Sequence, residues 1–382
     1  MKRRLVIKRL AALAGLAATG GLAGCAPAAG PTPAARITPA ARITPAQKST
    51  ATTAPATAAP TSAARTSTAP TPAAAPTARI DEEVHMARVS LVKTADRAAG
   101  VRRAIELLGA NPVAGRQVLV KPNFNSADPC PGSTHNDTLR ALLDALRELG
   151  ARELALGDRS DMGDTRLVMA HKGVYDLLAA YDIAPVAFEA LPDDAWTLFE
   201  AEGLHWQQGF PVPKMLLAAE TVVQTCNLKT HRYGGHFTLS LKNAVGFAGK
   251  RWRGHDYMSE LHGSRHQRRM IAEINLAYAP ALIVMDGVQA FTTGGPDRGT
   301  TVDAQAVLAA TDRVAIDAVG VALLRLYGTT PEVSRGRVFE QEQLARAVEL
   351  GLGVSGPEQI ELVTGDEASA AYAEQLRAVL LA

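Results

Sequence analysis

Three short polar segments interrupt otherwise apolar sequence and could carry chemistry. They are Lys121-Pro122-Asn123, Lys229-Thr230-His231 and Lys242-Asn243. Lysine is rarely buried without a partner, so each lysine indicates either an internal salt bridge or a site for an anionic ligand. A nearby histidine can transfer a proton near neutral pH, and a lysine among other cations can become a base or nucleophile. We predict that Lys229, His231 and Lys242 are the catalytic residues.

Binding of the substrate is assigned to the polar groups around that set. A carboxylate or phosphate would be held by Lys121, Asn123 and Asn243, and a glycine turn at Gly294-Gly295 could bring backbone amides close to it. Most glycine turns only reverse the chain, so this part of the prediction depends on the turn facing the lysines.

Carboxylates also follow apolar runs, where a ligand or metal could reach them. Asp158 ends the run that begins at Glu153, Asp286 ends the run that begins at Leu282, and Asp317 lies in a predicted helix. Oxygen ligands suit hard divalent cations, so a divalent metal could be held by Asp158, Asp286 or Asp317.

The elements that must position these residues alternate between strand and helix patterns. The predicted strands are Val89–Val92, Gln117–Val120, Glu153–Leu156, Thr221–Gln224, Leu282–Met285 and Gln305–Ala309. The predicted helices are Val101–Leu108, Leu139–Leu149, Arg268–Tyr278 and Ala315–Leu326. This order predicts an α/β fold with a largely parallel sheet flanked by helices, in one domain or two lobes. In such sheets ligands bind beyond the carboxyl ends of the strands, where the polar segments lie.

The polar segments, together with Gly294-Gly295-Pro296 and Asp312–Asp317, resemble the prokaryotic family called domain of unknown function 362 over about residues 87 to 330. The resemblance implies an α/β fold and a site assembled from the Lys-Pro-Asn, Lys-Thr-His and Lys-Asn segments. Many members carry a ferredoxin-like module with runs of cysteine, which this chain lacks. We therefore expect no iron-sulfur cluster.

The amino-terminal residues predict a lipoprotein. A basic head is followed by an apolar run that ends at Leu22-Ala23-Gly24-Cys25, a lipobox-like site, so residues 1–25 form a signal peptide and Cys25 accepts lipid. Arg3-Arg4 could be a twin-arginine signal for a folded protein or simply part of the basic head. The predicted address is the cell envelope, lipid-anchored on the extracytoplasmic side.

Two regions follow the signal. Residues 26–80 are rich in Ala, Pro and Thr and predict a disordered linker, whereas residues 81–382 form the α/β domain. No acid precedes Asp81, so the domain has 30 basic against 38 acidic residues and a net charge of about −8. This charge argues against nucleic acid as a partner. Cys130 and Cys226 could form a disulfide or stay unpaired.

These features favour an enzyme that acts on a small anionic molecule. The alternatives are a tethered protein that binds such a molecule without catalysis, and a structural envelope protein whose polar segments only stabilise the fold.

Overall fold

The computed structural model of the protein describes residues 86–382. The signal peptide, Cys25 and the linker lie outside the described residues. The strands in chain order are β1 (Ala87–Lys93), β2 (Gln117–Lys121), β3 (Glu153–Asp158), β4 (Val186–Ala187), β5 (Trp196–Phe199), β6 (Phe210–Pro213), β7 (Thr221–His231), β8 (His236–Thr238), β9 (Arg251–Trp252), β10 (His255–Asp256), β11 (Pro280–Gly294), β12 (Gly299–Val302), β13 (Ala306–Ala310) and β14 (Ile360–Val363).

Helices connect and cover these strands. They are α1 (Arg97–Leu108), α2 (Asn136–Glu148), α3 (Thr165–His171), α4 (Val174–Ala179), α5 (Lys214–Ala218), α6 (Ser240–Asn243), α7 (Tyr257–Gly263), α8 (Gln267–Ile274), α9 (Arg313–Leu326), α10 (Pro331–Ser334), α11 (Glu342–Glu349) and α12 (Glu367–Leu381). None of the helices in residues 86–382 is long and apolar enough to cross a lipid bilayer.

One ten-stranded mixed sheet runs through the described residues. Its order is β14-β1-β13-β11-β7-β2-β3-β4, and β8 and β12 pair with β7 and β11 outside this path. Along the path all strands run in the same direction except β13, which is antiparallel to both β1 and β11. The prediction of a largely parallel α/β sheet is confirmed, and a single sheet joins what could have been two lobes.

Apolar side chains on both faces of the sheet explain why it is covered by helices. On one face, Val118 and Val120 of β2 and Leu282 and Val284 of β11 pack with the buried sides of α1 and α2. On the other, Ile283 and Met285 pack against α9. Burial on both faces is typical of the central strands of parallel sheets.

Each of the six predicted strands and four predicted helices exists, and the boundaries differ. The largest differences are at β7, which was predicted to end at Gln224 and continues to His231, and at β11, which was predicted to end at Met285 and continues to Gly294. Lys121 at the end of β2 pairs with Gln224, so the last seven residues of β7 project beyond that neighbour. The projecting part pairs with β8 and with β11. This extension carries two of the three predicted catalytic residues.

Candidate functional site

A small enclosed cavity lies where β2, β3 and the projecting part of β7 meet the segment after β8. Its volume is about 30 Å³, room for roughly two water-sized groups. It is lined by Lys121, Asn123, Asn125, Asp158, Arg159, Asp161, His231, Thr238, Lys242, Asn243, Val245 and Gly246. Five of the residues predicted to bind or act on the substrate are therefore brought together, and most of the lining is polar.

The floor of the cavity is a buried ion pair. The Nζ atom of Lys121 lies 2.6 Å from Oδ1 of Asp158, and both side chains are 1% exposed. Burial lowers the pKa of Lys121 and raises the pKa of Asp158, and their contact opposes both shifts. Asp158 also accepts hydrogen bonds from the backbone N–H groups of Phe124 and Arg159, at 2.7 Å each. The predicted anion-binding lysine is thus already neutralised by its own acid.

Asn243 links this ion pair to Asn123. Its Oδ1 accepts hydrogen bonds from Nζ of Lys121 at 3.2 Å and from Nδ2 of Asn123 at 3.1 Å. Its Nδ2 donates to the carbonyl oxygen of Thr225 at 3.1 Å. All polar atoms of the Asn243 side chain are therefore engaged within the protein.

Several buried polar atoms at the cavity have no partner. They are Oδ1 of Asn123, Nδ2 of Asn125, Nδ1 of His231 and Oγ1 of Thr238, and all four residues line the cavity. A buried polar atom without a hydrogen bond costs about 1–3 kcal/mol, so four such atoms around one cavity indicate a site for a polar ligand or water.

Lys242 supplies the positive charge that is not neutralised at this site. Its side chain is buried, and Asp161 and Arg159 influence its charge without hydrogen bonding to it. Burial lowers the pKa of Lys242 to about 8, and Asp161 opposes the shift. The ammonium is therefore mostly protonated at neutral pH, and the cavity favours an anion.

His231 is the neutral group beside this cation. Burial, and then the charges of Lys242 and Lys229, hold the pKa of His231 well below its ordinary value. The imidazole is consequently uncharged at neutral pH and has an unpartnered Nδ1. A neutral imidazole next to an ammonium can accept a proton from a ligand that the ammonium holds.

Arg159 and Asp161 shape the wall next to Lys242. The Arg159 guanidinium donates to the carbonyl oxygens of Ala248 at 2.8 Å and Val245 at 2.6 Å, and pairs with Asp161 at 2.9 Å. Burial raises the pKa of Asp161, but the positive charges of Arg159 and Lys242 lower it by a larger amount. The pKa of Asp161 is therefore below its ordinary value. Asp161 is thus ionised, and Arg159 balances its charge.

Glycines allow these side chains to approach the backbone. A Cβ atom at Gly246 would lie 2.7 Å from Nζ of Lys121 and from Oδ1 of Asp158. A Cβ atom at Gly235, in the turn between β7 and β8, would lie 2.7 Å from Cε of Lys242 and 3.0 Å from Nδ1 of His231. A side chain at either position would therefore displace the end of at least one of these polar side chains.

A larger open groove adjoins the cavity at Asp161, which lines both. The groove has a volume of about 640 Å³ and is lined by Asp161, Glu189, Leu191, Asp193, Trp196, Lys250, Arg251, Asp256, Met258, Ser259 and His262. This size suits the rest of a small molecule whose polar group occupies the cavity.

Lys229 does not line the cavity. Its Nζ donates to the carbonyl oxygens of Gly132 at 2.5 Å and Pro296 at 3.1 Å, and its side chain is 0% exposed. Burial lowers the pKa of Lys229 to about 7. The lysine joins two loops, so its ammonium is used within the protein, and only its charge acts on His231.

Gly294 and Gly295 also lie away from the cavity lining. Both have left-handed backbone conformations, with φ of 77° and 64°. A Cβ atom at Gly295 would overlap the carbonyl oxygen of Thr230, and one at Gly294 would lie 2.9 Å from the carbonyl oxygen of Arg298. The two glycines therefore permit close packing of backbone on backbone rather than a cradle for an anion.

The three candidate metal-binding aspartates occupy separate surroundings. Asp286 accepts from Arg97 at 2.9 Å and from Thr138 at 2.5 Å. Asp317 accepts from the backbone N–H groups at the start of α6, at 2.7 and 2.8 Å, and burial raises the pKa of Asp317 to about 8. Asp158 is paired with Lys121. In the range 86–382, no three His, Cys, Asp or Glu residues lie close enough together to hold a metal ion.

The two cysteines of the described residues do not form a disulfide bond. Cys130 and Cys226 are both unpaired, and Cys226 is buried in the core. Burial raises the pKa of Cys130 to about 12. Neither thiol lines the cavity.

Six residues of the cavity lining were not predicted as site residues, and four of these are polar: Asn125, Arg159, Asp161 and Thr238. Arg159 and Asp161 directly follow a predicted strand, and their position at its carboxyl end was an available signal. Thr238 lies on β8, a three-residue strand with no recognisable pattern.

Comparisons with known proteins place the chain in a family. The thylakoid-associated protein sll1697 of Synechocystis sp. (strain ATCC 27184 / PCC 6803 / Kazusa) is 27% identical over 291 residues, which cover 71% of this chain and 85% of that protein. The lactate racemase apoprotein from Thermoanaerobacterium thermosaccharolyticum, a solved structure, is 13% identical with a TM-score of 0.38, over 76% of this chain and 86% of that one. Residues 118–322, more than half of the chain, match the model of the family described as domain of unknown function (DUF362). The resemblance that its Lys-Pro-Asn, Lys-Thr-His and Lys-Asn segments indicated is confirmed, and the chain belongs to the DUF362 family.

Proposed function

We propose that the protein is an enzyme that acts on a small anionic molecule. The anionic group binds in the cavity against Lys242, the rest of the molecule lies in the adjoining groove, and His231 accepts a proton. The observation that carries this proposal is the convergence of four unpartnered polar atoms and one uncompensated ammonium on a single cavity.

Charge favours an anion over a cation or a neutral molecule. Lys121 and Arg159 are each paired with an acid, at 2.6 and 2.9 Å. Lys242 therefore leaves the cavity with one net positive charge, in surroundings of low dielectric where that charge has a large effect. A bound anion would neutralise it and satisfy the unpartnered donors.

His231 is the reason to prefer an enzyme to a binding protein. Binding requires the cation and the hydrogen-bond donors, but it does not require a neutral imidazole with a free nitrogen. General base catalysis needs a group that is unprotonated at neutral pH and has an open nitrogen next to the ligand, and the low pKa of His231 keeps its imidazole unprotonated. If the protein only binds its ligand, His231 will contribute affinity and no turnover.

Calorimetric titration of the purified chain with acetate and with inorganic phosphate tests the binding step. Replacing Lys242 by Met should weaken binding of the anion about tenfold or more, and the same change at the exposed Lys214 should have no effect. Wild-type affinity should fall roughly tenfold per pH unit above pH 8, because the pKa of Lys242 is about 8 and only its protonated form attracts an anion. Equal affinity in the Lys242 variant, or no decline above pH 8, would contradict the proposal.

A second experiment separates catalysis from binding. A pool of small carboxylates incubated with the protein in heavy water should show chemical conversion or deuterium uptake by mass spectrometry. His231→Gln should lose this activity while its affinity for the anion stays within about threefold. Lys242-dependent binding without conversion or deuterium uptake of any member would identify a binding protein instead.

We also propose that the chain is held at the extracytoplasmic face of a membrane by lipid on Cys25. The basic head, the apolar run and the small residues before Cys25 support this address. The relative sll1697 is named as thylakoid-associated, which is consistent with membrane attachment in a related protein.

A further inference from the structure

We infer that the ligand of this cavity carries a neutral hydrogen-bond donor next to its carboxylate, and that Asn123 selects for this donor. The inference rests on the proposed function, because it takes the cavity to be the ligand site. It adds the class of molecule and a specificity-determining residue.

The orientation of Asn243 is the first step. Its Nδ2 donates to the carbonyl oxygen of Thr225, which can only accept. Its Oδ1 therefore faces Nζ of Lys121 and Nδ2 of Asn123, which can only donate. If the Asn243 amide were rotated by 180°, its NH2 group would face the donors of Lys121 and Asn123, and its oxygen would face the carbonyl oxygen of Thr225. The hydrogen-bond network therefore fixes this orientation.

The orientation of Asn123 follows from that of Asn243. Because Oδ1 of Asn243 accepts, the atom of Asn123 that meets it must be Nδ2. The remaining atom, Oδ1 of Asn123, is buried and has no partner in the described part of the chain. An amide oxygen can only accept a hydrogen bond, so a ligand complementary to the site carries a hydrogen-bond donor at this position.

The other groups at the cavity include both hydrogen-bond donors and a hydrogen-bond acceptor. Lys242 and Nδ2 of Asn125 can only donate, so they suit the oxygens of a carboxylate. Nδ1 of the neutral His231 can accept. A carboxylate alone would satisfy the donors and leave Oδ1 of Asn123 without a partner.

The donor must be neutral. Arg159 is close enough to Lys242 to lower the pKa of that lysine, and Lys121 lines the same cavity. A second ammonium brought into this enclosed space would be repelled and would lose its hydration. A hydroxyl or an amide N–H avoids this cost.

The volume of the cavity restricts the group that enters. A space of about 30 Å³ holds roughly two water-sized groups, which matches one carboxylate oxygen and one adjacent donor. A phosphate with four oxygens is larger than this space. The structure therefore favours a small carboxylate that bears a neutral donor on the neighbouring atom.

The test compares four probes by calorimetric titration of the wild-type chain. Glycolate has the carboxylate and a neutral donor, acetate lacks the donor, glycine carries a charged donor, and inorganic phosphate has the larger group. We expect glycolate to bind about 10- to 100-fold more tightly than acetate, because acetate leaves Oδ1 of Asn123 unsatisfied. Glycine and phosphate should bind more weakly than glycolate.

Asn123→Leu should reduce the glycolate-to-acetate preference to about one. The matched control is Asn227→Leu, because Asn227 is also buried and also has an unpartnered Oδ1 but does not line the cavity. The control should keep the wild-type preference. The ratio of two affinities measured on one sample does not depend on the folded fraction, so it remains informative for a destabilised variant.

The outcomes separate this inference from the proposed function. Equal binding of acetate and glycolate that still depends on Lys242 would overturn the role of Asn123 and leave the anion site intact. A preference for glycolate that persists in Asn123→Leu would assign the selection to another residue. If no probe depends on Lys242, the proposed function itself fails.

Discussion

Three lysines with similar sequence surroundings have three different roles in the structure. Lys121 pairs with Asp158, Lys229 donates to two backbone carbonyl oxygens, and Lys242 has no acid bonded to it. Each lysine interrupts apolar sequence, and that pattern predicts burial but not the partner. The partner of each is set by residues distant in the chain, which is why the sequence could not separate the structural lysine from the anion-binding one.

The buried Lys229 predicts a pH dependence of stability. Its pKa is about 7 in the folded chain against an ordinary value of 10.5. Between these values the unfolded chain binds more protons than the folded one, so this residue makes stability rise with pH. In wild type the free energy of unfolding from urea titrations should increase between pH 7 and 10, with a contribution of up to about 1.4 kcal/mol per pH unit.

Lys229→Met removes the titrating group and should reduce that slope. The surface change Lys214→Met serves as the control and should leave it unchanged. An unchanged slope in Lys229→Met would mean that the amine stays protonated in the fold, held by the Gly132 and Pro296 carbonyl oxygens.

The composition of the site could be predicted only in part. Lys121, Asn123, His231, Lys242 and Asn243 were singled out because they are polar groups at the ends of apolar runs, and the structure brings them to one cavity. Thr238 and Asn125 belong to short loop and strand segments without periodicity, so only the folded chain reveals them. The orientation of the Asn123 amide depends on a chain of hydrogen bonds that no sequence pattern encodes.

At the scale of elements, the extension of β7 is the departure from expectation that bears on the site. The apolar part of the strand ends near Gln224, and the following residues alternate polar and apolar side chains up to Lys229, after which Thr230 and His231 are both polar. Strand formation there depends on pairing with β8 and β11 rather than on local propensity. The polar segment that was predicted to follow the strand is therefore part of it, and it places His231 beside Lys242 in the cavity lining.

The packing at the turn between β7 and β8 predicts that adding one methyl group at Gly235 weakens ligand binding. In Gly235→Ala the new Cβ would crowd Cε of Lys242 and Nδ1 of His231, at 2.7 and 3.0 Å. Affinity for glycolate or acetate, measured by calorimetry, should fall about tenfold, because a displaced ammonium no longer faces the cavity.

Gly263→Ala is the matched control, since no heavy atom would lie within 4 Å of its Cβ. The control should retain wild-type affinity. Retained affinity in Gly235→Ala as well would show that Lys242 can move aside without losing its contact with the anion.

At the scale of the molecule, the alternation of strands and helices was sufficient to predict the fold class. It did not predict that β13 runs antiparallel to β1 and β11, because Gln305–Ala309 has the same apolar composition whichever way the strand runs. The tight connection from β11 through β12 to β13 sets this direction. Short connections force antiparallel neighbours, whereas parallel neighbours need a crossover.

The predicted anchor concerns the residues before the described domain and can be tested on the full chain. Cys25→Ser should abolish incorporation of an alkyne-tagged fatty acid and move the protein from the membrane to the supernatant after centrifugation. Stable anchoring needs more than one acyl chain, so loss of the lipid-accepting cysteine removes it entirely.

Cys130→Ser is the control, because Cys130 lies within the folded domain, and it should keep both the label and the membrane fraction. Label that remains on Cys25→Ser, or wild-type protein that is not sedimented with membranes, would refute the anchor.

The cavity walls come from segments around residues 121–125, 158–161 and 231–246, which are brought together by the pairing of β2 with β3 and with β7. A fragment that lacks any of these strands therefore cannot form the site, which exists only when these distant strands are paired. A ligand bound in the cavity therefore shifts the folding equilibrium of the whole domain and does not merely order one loop.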